Sequence, residues 1–441
     1  MDKKMDKNEL FRVLNDWNAW SQDLPIGIKR EQYLAKARNL LDQGSVIVIT
    51  GARRSGKSYL MRQIADELVC RGIRKNQILI ANFEDPRFVA LSVSLLEQIF
   101  EVFMERMRPE GRLFVFLDEI QEVAQWEKWV RMRHELDSAT LTVTGSNARL
   151  LSAELGTLLT GRHIDMVVLP LSFREFLAFK GVSHDGTLAQ KDYGPLLYEY
   201  SEYGAFPKVA MEREKQKLLL TYFDDILTKD LIRRYRIRKP EHLKSLAKFY
   251  LSNSGSLITF ARTGRSIGLS ADTVEKFSGY FESAYLLFFL KRFSYKVREQ
   301  EKSPRKVYAI DSGIANSVGF RFSGNRGRIA ETIVFIELKR RLSNRIGAEL
   351  YYWKDPYHRE VDFLVKDGPD VTELIQVCWN INDEQTKKRE RSSLTKALAE
   401  FKLTRGLIIT EEQEGEEVHD GLTIQYIPLQ RWLLADPYTT A

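Results

Sequence analysis

A chain of 441 residues is too long for a single core and points to about three domains. Hydrophobic residues at 44% and charged residues at 29% exclude a disordered or fibrous chain, and there is no apolar run long enough to span a membrane. A formal charge of +7 suits a polyanionic partner without requiring one.

The opening MDKKMDKNELFRVLNDW lacks the apolar core of a signal peptide, so a cytoplasmic place is expected. Cys70 and Cys378 are too few for a disulfide framework and are expected to be buried thiols. Residues 1–44 read as a helical lead-in. The β-branched run SVIVIT then precedes G-x-x-x-x-G-K-S, and Leu60, Met61, Ile64 and Leu68 share one helical face behind it. This strand–loop–helix context makes residues 51–59 (Gly51, Ala52, Arg53, Arg54, Ser55, Gly56, Lys57, Ser58, Tyr59) a phosphate cradle at a helix N-terminus. ATP and Mg²⁺ are the expected cofactors. Lys57 reaches the β- and γ-phosphates, and the Ser58 hydroxyl sits on the metal.

The apolar strand in RLFVFLDEIQEV ends in Asp118 and Glu119. Asp118 is placed to hold Mg²⁺ with Ser58, and Glu119 to polarise the attacking water. TLTVTGSN is a third strand. If it lies between the other two, Asn147 touches the γ-phosphate or the water; otherwise it caps the helix that follows. Arg162 precedes a fourth apolar strand and either reaches a neighbouring subunit's γ-phosphate or pairs with a local acid such as Asp165.

Taken together, GARRSGKS, FLDEIQ, TGSN, TGRHIDMVVLPLSFREF and YGAFPKV resemble the AAA-like archaeal ATPase family, within the AAA+ and signal-transduction P-loop superclass. The resemblance covers nearly the whole chain. It implies an α/β fold: an AAA+-like P-loop core over 45–170 and a helical lid over 171–241, followed by a C-terminal extension. It further implies a homo-oligomer, with a hexamer as one expected ring. In such rings an arginine placed like Arg162 acts across the subunit boundary, and Gly204 and Pro207 in the lid bracket the nucleotide. A clear arginine at the second sensor position is missing from the lid.

Residues 242–312 carry a helix ending near NSGS, a second through LITFART and a third capped by Ser270 with Thr273 in its first turn. Two strands with basic residues follow, a pattern similar to winged-helix domains. Val274, Phe277 and Phe281 are expected in the core. Lys276, Lys291, Arg292, Lys296 and Arg298 are expected to face a partner, either DNA phosphates or a protein. Stretches 180–194 and 411–420 read as surface loops and 323–328 as a linker.

Residues 313–441 resemble the family's restriction-endonuclease-type (PD-(D/E)XK-like) extension. GRIAETIVFIELKRRL reads as an amphipathic helix with Glu331, and EVDFLV offers Asp362. The next strand holds Gln376 and Cys378 where a nuclease of this type has an acid and a lysine. A glutamine carbonyl is a poor substitute for a carboxylate on Mg²⁺, so the nuclease chemistry is expected to be lost while the fold remains. Two readings stay open: an ATP-driven motor on duplex or branched DNA such as Holliday junctions, or an ATP-controlled switch gripping a protein. An ATP-dependent nuclease with a migrated lysine is a further alternative.

Overall fold

The computed structural model describes residues 5–147, 163–182, 193–320, 326–343, 345–381 and 383–435. It divides into two compact units, residues 1–168 and 169–441. No helix among the described residues is long and apolar enough to cross a membrane.

The first unit runs α1 (Lys7–Trp17), α2 (Glu31–Asp42), β1 (Val46–Thr50), α3 (Lys57–Cys70), β2 (Ile78–Asn82), α4 (Val93–Met107), β3 (Phe114–Asp118), α5 (Trp126–Glu135), β4 (Thr140–Gly145) and β5 (His163–Val167). Its five strands are all parallel, in the order β2-β3-β4-β1-β5. Parallel sheets are covered on both faces, which is why their strands read as unbroken apolar runs. Val46 and Val48 pack among residues of α1, α4 and α5, while Ile47 and Ile49 pack among those of α2 and α3. The order meets the condition set for Asn147: β4 lies between β1 and β3.

The lead-in closes one sheet edge. Asn18 Nδ2 donates to the Ile80 carbonyl at 2.8 Å, and its Oδ1 accepts from the Ile80 N–H at 2.7 Å. A side-chain amide thus satisfies edge groups of β2 that would otherwise invite another strand.

The second unit starts with α6 (Phe173–Phe179), α7 (Gly194–Tyr203), α8 (Pro207–Met211), α9 (Lys215–Asp225) and α10 (Pro240–Ser252). Next come β6 (Ser256–Ile258), α11 (Phe260–Ile267), α12 (Ala271–Ser283), β7 (Leu287–Leu290), α13 (Val297–Lys302) and β8 (Arg305–Ala309). The three strands form an antiparallel sheet in the order β6-β8-β7. Ser270 caps α12 as expected, accepting from the Thr273 N–H at 3.2 Å, and Val274, Phe277 and Phe281 are buried.

After α14 (Ser312–Val318) the chain forms α15 (Arg326–Leu342), β9 (Ala348–Lys354), β10 (Glu360–Asp367), β11 (Asp370–Val377), α16 (Glu384–Phe401), β12 (Arg405–Thr410), β13 (Gly415–His419), β14 (Leu422–Pro428) and α17 (Leu429–Leu434). The six strands make a mixed sheet, β13-β14-β12-β11-β10-β9.

Several expectations need correction. The helix carrying Glu331 is not amphipathic: α15 is buried on most sides, and even Glu337 and Arg340 are enclosed, as an ion pair. A pair of charges satisfied inside the fold looks, in sequence, like a solvated face. Residues 326–328 open this helix rather than serving as linker. The 411–420 stretch holds the largely exposed strand β13, and 180–194 falls largely outside the described residues. Cys378 is buried as expected, but Cys70 is exposed at the end of α3.

Candidate functional site

The phosphate loop follows β1 because its glycines take backbone angles that side chains resist. Gly51 has φ +146° and Gly56 φ +101°. A Cβ on Gly51 would lie 2.2 Å from the Val168 carbonyl oxygen, so only glycine fits the close approach of β1 and β5. Lys57 opens α3 and is almost fully buried. Its Nζ curls back to the Gly51 and Ala52 carbonyls at 3.1 and 3.2 Å and lies 3.5 Å from Glu119 Oε1. The buried Ser55 hydroxyl has no hydrogen-bond partner among the described residues. A buried ammonium resting on neutral carbonyls, beside an orphaned hydroxyl and a helix N-terminus, fits a phosphate chain.

Asp118 and Glu119 sit at the C-terminal end of β3, both buried. Thr144 on β4 fixes both: its hydroxyl donates to Asp118 Oδ1 and accepts from the Glu119 N–H at 3.0 Å. Sequence reasoning missed Thr144, because nothing local distinguishes it from Thr140 and Thr142 on the same strand. Burial, and then the adjacent Glu119 charge, push the Asp118 pKa up to about 6, while hydrogen bonds from Thr144 and Ser58 oppose the shift. The Ser58–Asp118 contact joins the two groups expected to share Mg²⁺. Glu119 has φ +52°, and its Oε2 accepts from Gln121 Nε2 at 2.6 Å. Asn147 is fully buried just beyond β4.

Arg53 pairs with Glu84 at 2.7 Å, and Arg30 of the lead-in donates to the Ser55 carbonyl at 3.1 Å. Gln63 Nε2 holds the Ile26 and Ile28 carbonyls, each at 2.8 Å, and Tyr59 packs by Gly27. The lead-in is thereby moored to the loop. Arg162 lies outside the described residues.

In the second unit, Gly204 (φ +70°) and Pro207 flank a tight turn between α7 and α8. Asp311 explains the glycine: a Cβ there would fall 1.9 Å from Asp311 Oδ1, and the Ala205 N–H donates to Asp311 Oδ2 at 2.7 Å. Of the five cations expected to face a partner, Lys276 and Arg298 are exposed, Lys291 pairs with Glu301 and Lys296 with Glu299. Arg292 turns inward and donates to the Lys354 carbonyl.

The same unit holds a polar cleft of about 1040 Å³, lined among others by Glu331 of α15, Glu360 and Asp362 of β10, Gln376 of β11 and Glu390 of α16. Three of the four expected residues meet here. Cys378 instead packs into the apolar core, where burial pushes its thiol up to about 12. Lys306 of β8 was not anticipated. Its Nζ lies 2.6 Å from Asp362 Oδ1 and 2.9 Å from both Glu331 Oε1 and Glu360 Oε1. Burial works against its charge, but Asp362, Glu331 and Glu360 outweigh it and raise its pKa well above the ordinary value. Tyr308, two residues on and so on the same strand face, donates to Glu331 at 2.6 Å. Gln376 Oε1 accepts from the Asp362 N–H at 3.0 Å, and its Nε2 donates to Glu390 at 2.7 Å.

A parallel sheet with this strand order, a phosphate loop after β1 and two acids ending β3 define the class of the first unit, a P-loop domain of the AAA type. The sequence matches the AAA domain family over residues 43–177, a domain of unknown function (DUF8612) over 194–325 and another (DUF4143) over 326–432. It is 33% identical over 404 residues to protein MJ1544 of Methanocaldococcus jannaschii, covering 88% of each chain. It is also 31% identical over 415 residues to an uncharacterised protein of Haemophilus influenzae, covering 92% of this chain and 98% of that one. The chain belongs to the family of these two proteins. Among solved structures, AMPPCP-bound DnaA from Aquifex aeolicus is 15% identical with a TM-score of 0.28, over 57% of this chain and 87% of that one.

Proposed function

We propose that the chain couples Mg²⁺-dependent ATP hydrolysis to binding and remodelling of DNA, branched forms such as Holliday junctions included, as a homo-oligomer. The observation that carries the catalytic half is the cluster in which buried Lys57 lies by Glu119 and half-buried Ser58 by Asp118, with Thr144 fixing both acids. Lys57 would leave the Gly51 and Ala52 carbonyls for the β- and γ-phosphates. Ser58 and Asp118 would hold Mg²⁺, which when bound neutralises charge on the phosphate oxygens. Glu119, released from Gln121, would take a proton from the attacking water. Asn147 would orient that water or the γ-phosphate, and Arg162 would act on a neighbouring subunit's nucleotide.

The DNA half draws support from the arrangement of residues 240–309, in which α10, α11, α12 and the short α13 accompany the three strands and which we read as a winged helix, and from exposed Lys276 and Arg298. The six-stranded sheet behind it we read as a restriction-endonuclease-like fold that grips without cutting. The local pairing of Lys291 and Lys296 and the inward turn of Arg292 favour a second reading, a nucleotide-controlled switch whose partner is a protein.

The deciding experiment compares ATPase rates without DNA and with duplex, single-stranded and four-way DNA, alongside binding at two salt concentrations. Stimulation, with affinity falling as salt rises, supports the first reading. No stimulation and no salt-dependent binding leave the switch.

A further inference from the structure

A restriction-endonuclease-like fold implies a divalent metal held by the acids of its central hairpin, and the C-terminal cleft can be tested for fit. Mg²⁺ binds oxygens at about 2.0–2.1 Å in near-octahedral geometry. Here the Asp362, Glu331 and Glu360 oxygens surround a common centre at 2.6, 2.9 and 2.9 Å, which are hydrogen-bond distances, and that centre is the Lys306 nitrogen. A lysine ammonium has three N–H donors and no acceptor. Glu331 and Asp362 take two of them, and the Glu360 carboxylate closes on the ammonium at 2.9 Å, so the charge is matched by acids of the fold itself. Gln376 is also committed: its carbonyl accepts the Asp362 N–H and its amide N–H is taken by Glu390. Among the described residues no group of three or more His, Cys, Asp or Glu side chains is arranged to hold a metal. The residues do not fit Mg²⁺.

We infer that Lys306 is a built-in cation occupying the position this kind of fold gives to its metal, so that the cleft takes up no divalent ion. The inference rests on the restriction-endonuclease-like reading of the sheet. It also makes the cleft composite. Lys306 and Tyr308 lie in the segment matched over 194–325, whereas Glu331, Glu360 and Asp362 lie in the one matched over 326–432. The ammonium bonds one segment to the other. A migrated catalytic lysine is a different proposition, because such a residue must offer its charge to the scissile phosphate, whereas that of Lys306 is matched by three carboxylates.

The test is a Mn²⁺ titration of the nucleotide-free full chain, followed by electron paramagnetic resonance of free Mn²⁺. Any binding by the wild-type chain is expected to disappear with Asp118→Asn and to be unaffected by Asp362→Asn. Lys306→Met is expected to gain one bound Mn²⁺ per chain, lost again when Asp362→Asn is added. Wild-type binding that Asp362→Asn removes overturns the inference while strengthening the fold reading. A folded Lys306→Met that gains no Mn²⁺ overturns both. If Lys306→Met does not fold, the comparison of the wild type with Asp362→Asn decides the question alone.

Discussion

Each unit of this protein buries a lysine beside acids, and the two lysines are held in opposite ways. Lys57 rests on two neutral carbonyls, with Glu119 at 3.5 Å and a Ser55 hydroxyl that has no partner among the described residues. Its strongest partner is still to come. Lys306 has three carboxylates within 2.9 Å and a buried tyrosine closing one side. Its charge is already matched. A buried charge costs several kcal/mol of desolvation unless something compensates it. At the first site the fold leaves that compensation to an incoming anion, and at the second it supplies the partners itself. The first arrangement suits turnover, and the second suits permanent cohesion between segments.

The comparison yields predictions of graded size. The largest concerns catalysis at the first site. Glu119→Gln should retain nucleotide binding and lower hydrolysis ~10²–10⁴-fold, the usual span for a lost general base. Paired measurements of ATPase rate and nucleotide affinity check this, and unchanged hydrolysis would remove Glu119 from its role. Next comes one substitution made at both lysines. Lys306→Met leaves three acids uncompensated and should cost ~3–5 kcal/mol in denaturant unfolding. Lys57→Met frees only carbonyls and one acid, so stability should change by less than ~1 kcal/mol while nucleotide binding is lost. Equal stability losses at the two positions would break the contrast.

A smaller effect depends on pH. Burial pushes Asp311 up to about 6, against hydrogen bonds from backbone N–H groups such as that of Ala205. Its folded pKa lies above the ordinary aspartate value of 3.8, so the folded state holds the extra proton between these values. Stability of the second unit should therefore fall as pH rises from about 4 to 6, by on the order of 2–3 kcal/mol for this group. Asp311→Asn should flatten that slope in pH-dependent unfolding. The smallest effect is expected at Thr144, whose hydroxyl orients both acids. Thr144→Val should lower kcat by ~10-fold, equivalent to ~1.4 kcal/mol, with nucleotide affinity retained. A loss of affinity instead would give Thr144 a binding role.

How much was legible differed between the two sites for a physical reason. The nucleotide site is local: Val46 through Cys70 form one strand–loop–helix, and backbone demands restrict the loop to glycine at set positions. Asp118 and Glu119 were found because an apolar strand ending in acids is a strong pattern. Thr144 escaped because a threonine in a strand of alternating Thr and apolar residues carries no mark of its own; only the order β3-β4-β1 brings it to the acids. At the C-terminal cleft Glu331, Asp362 and Gln376 were recognised from a resemblance. Lys306 was hidden within a basic run that reads as a solvated face, KRFSYKVREQEKSPRK. The apparent amphipathicity of α15 misled in the same way, since Glu337 and Arg340 neutralise one another inside the protein.

By itself the amino-acid order determined the P-loop, the apolar strands beneath it and the acids at their ends, because steric limits on backbone angles and the burial of both sheet faces act over a few neighbouring residues. Which distant charges would meet was decided only by the tertiary structure. Lys306 finds its three carboxylates across two helices' worth of intervening chain, and electrostatic matching at that range depends on packing that no local pattern encodes.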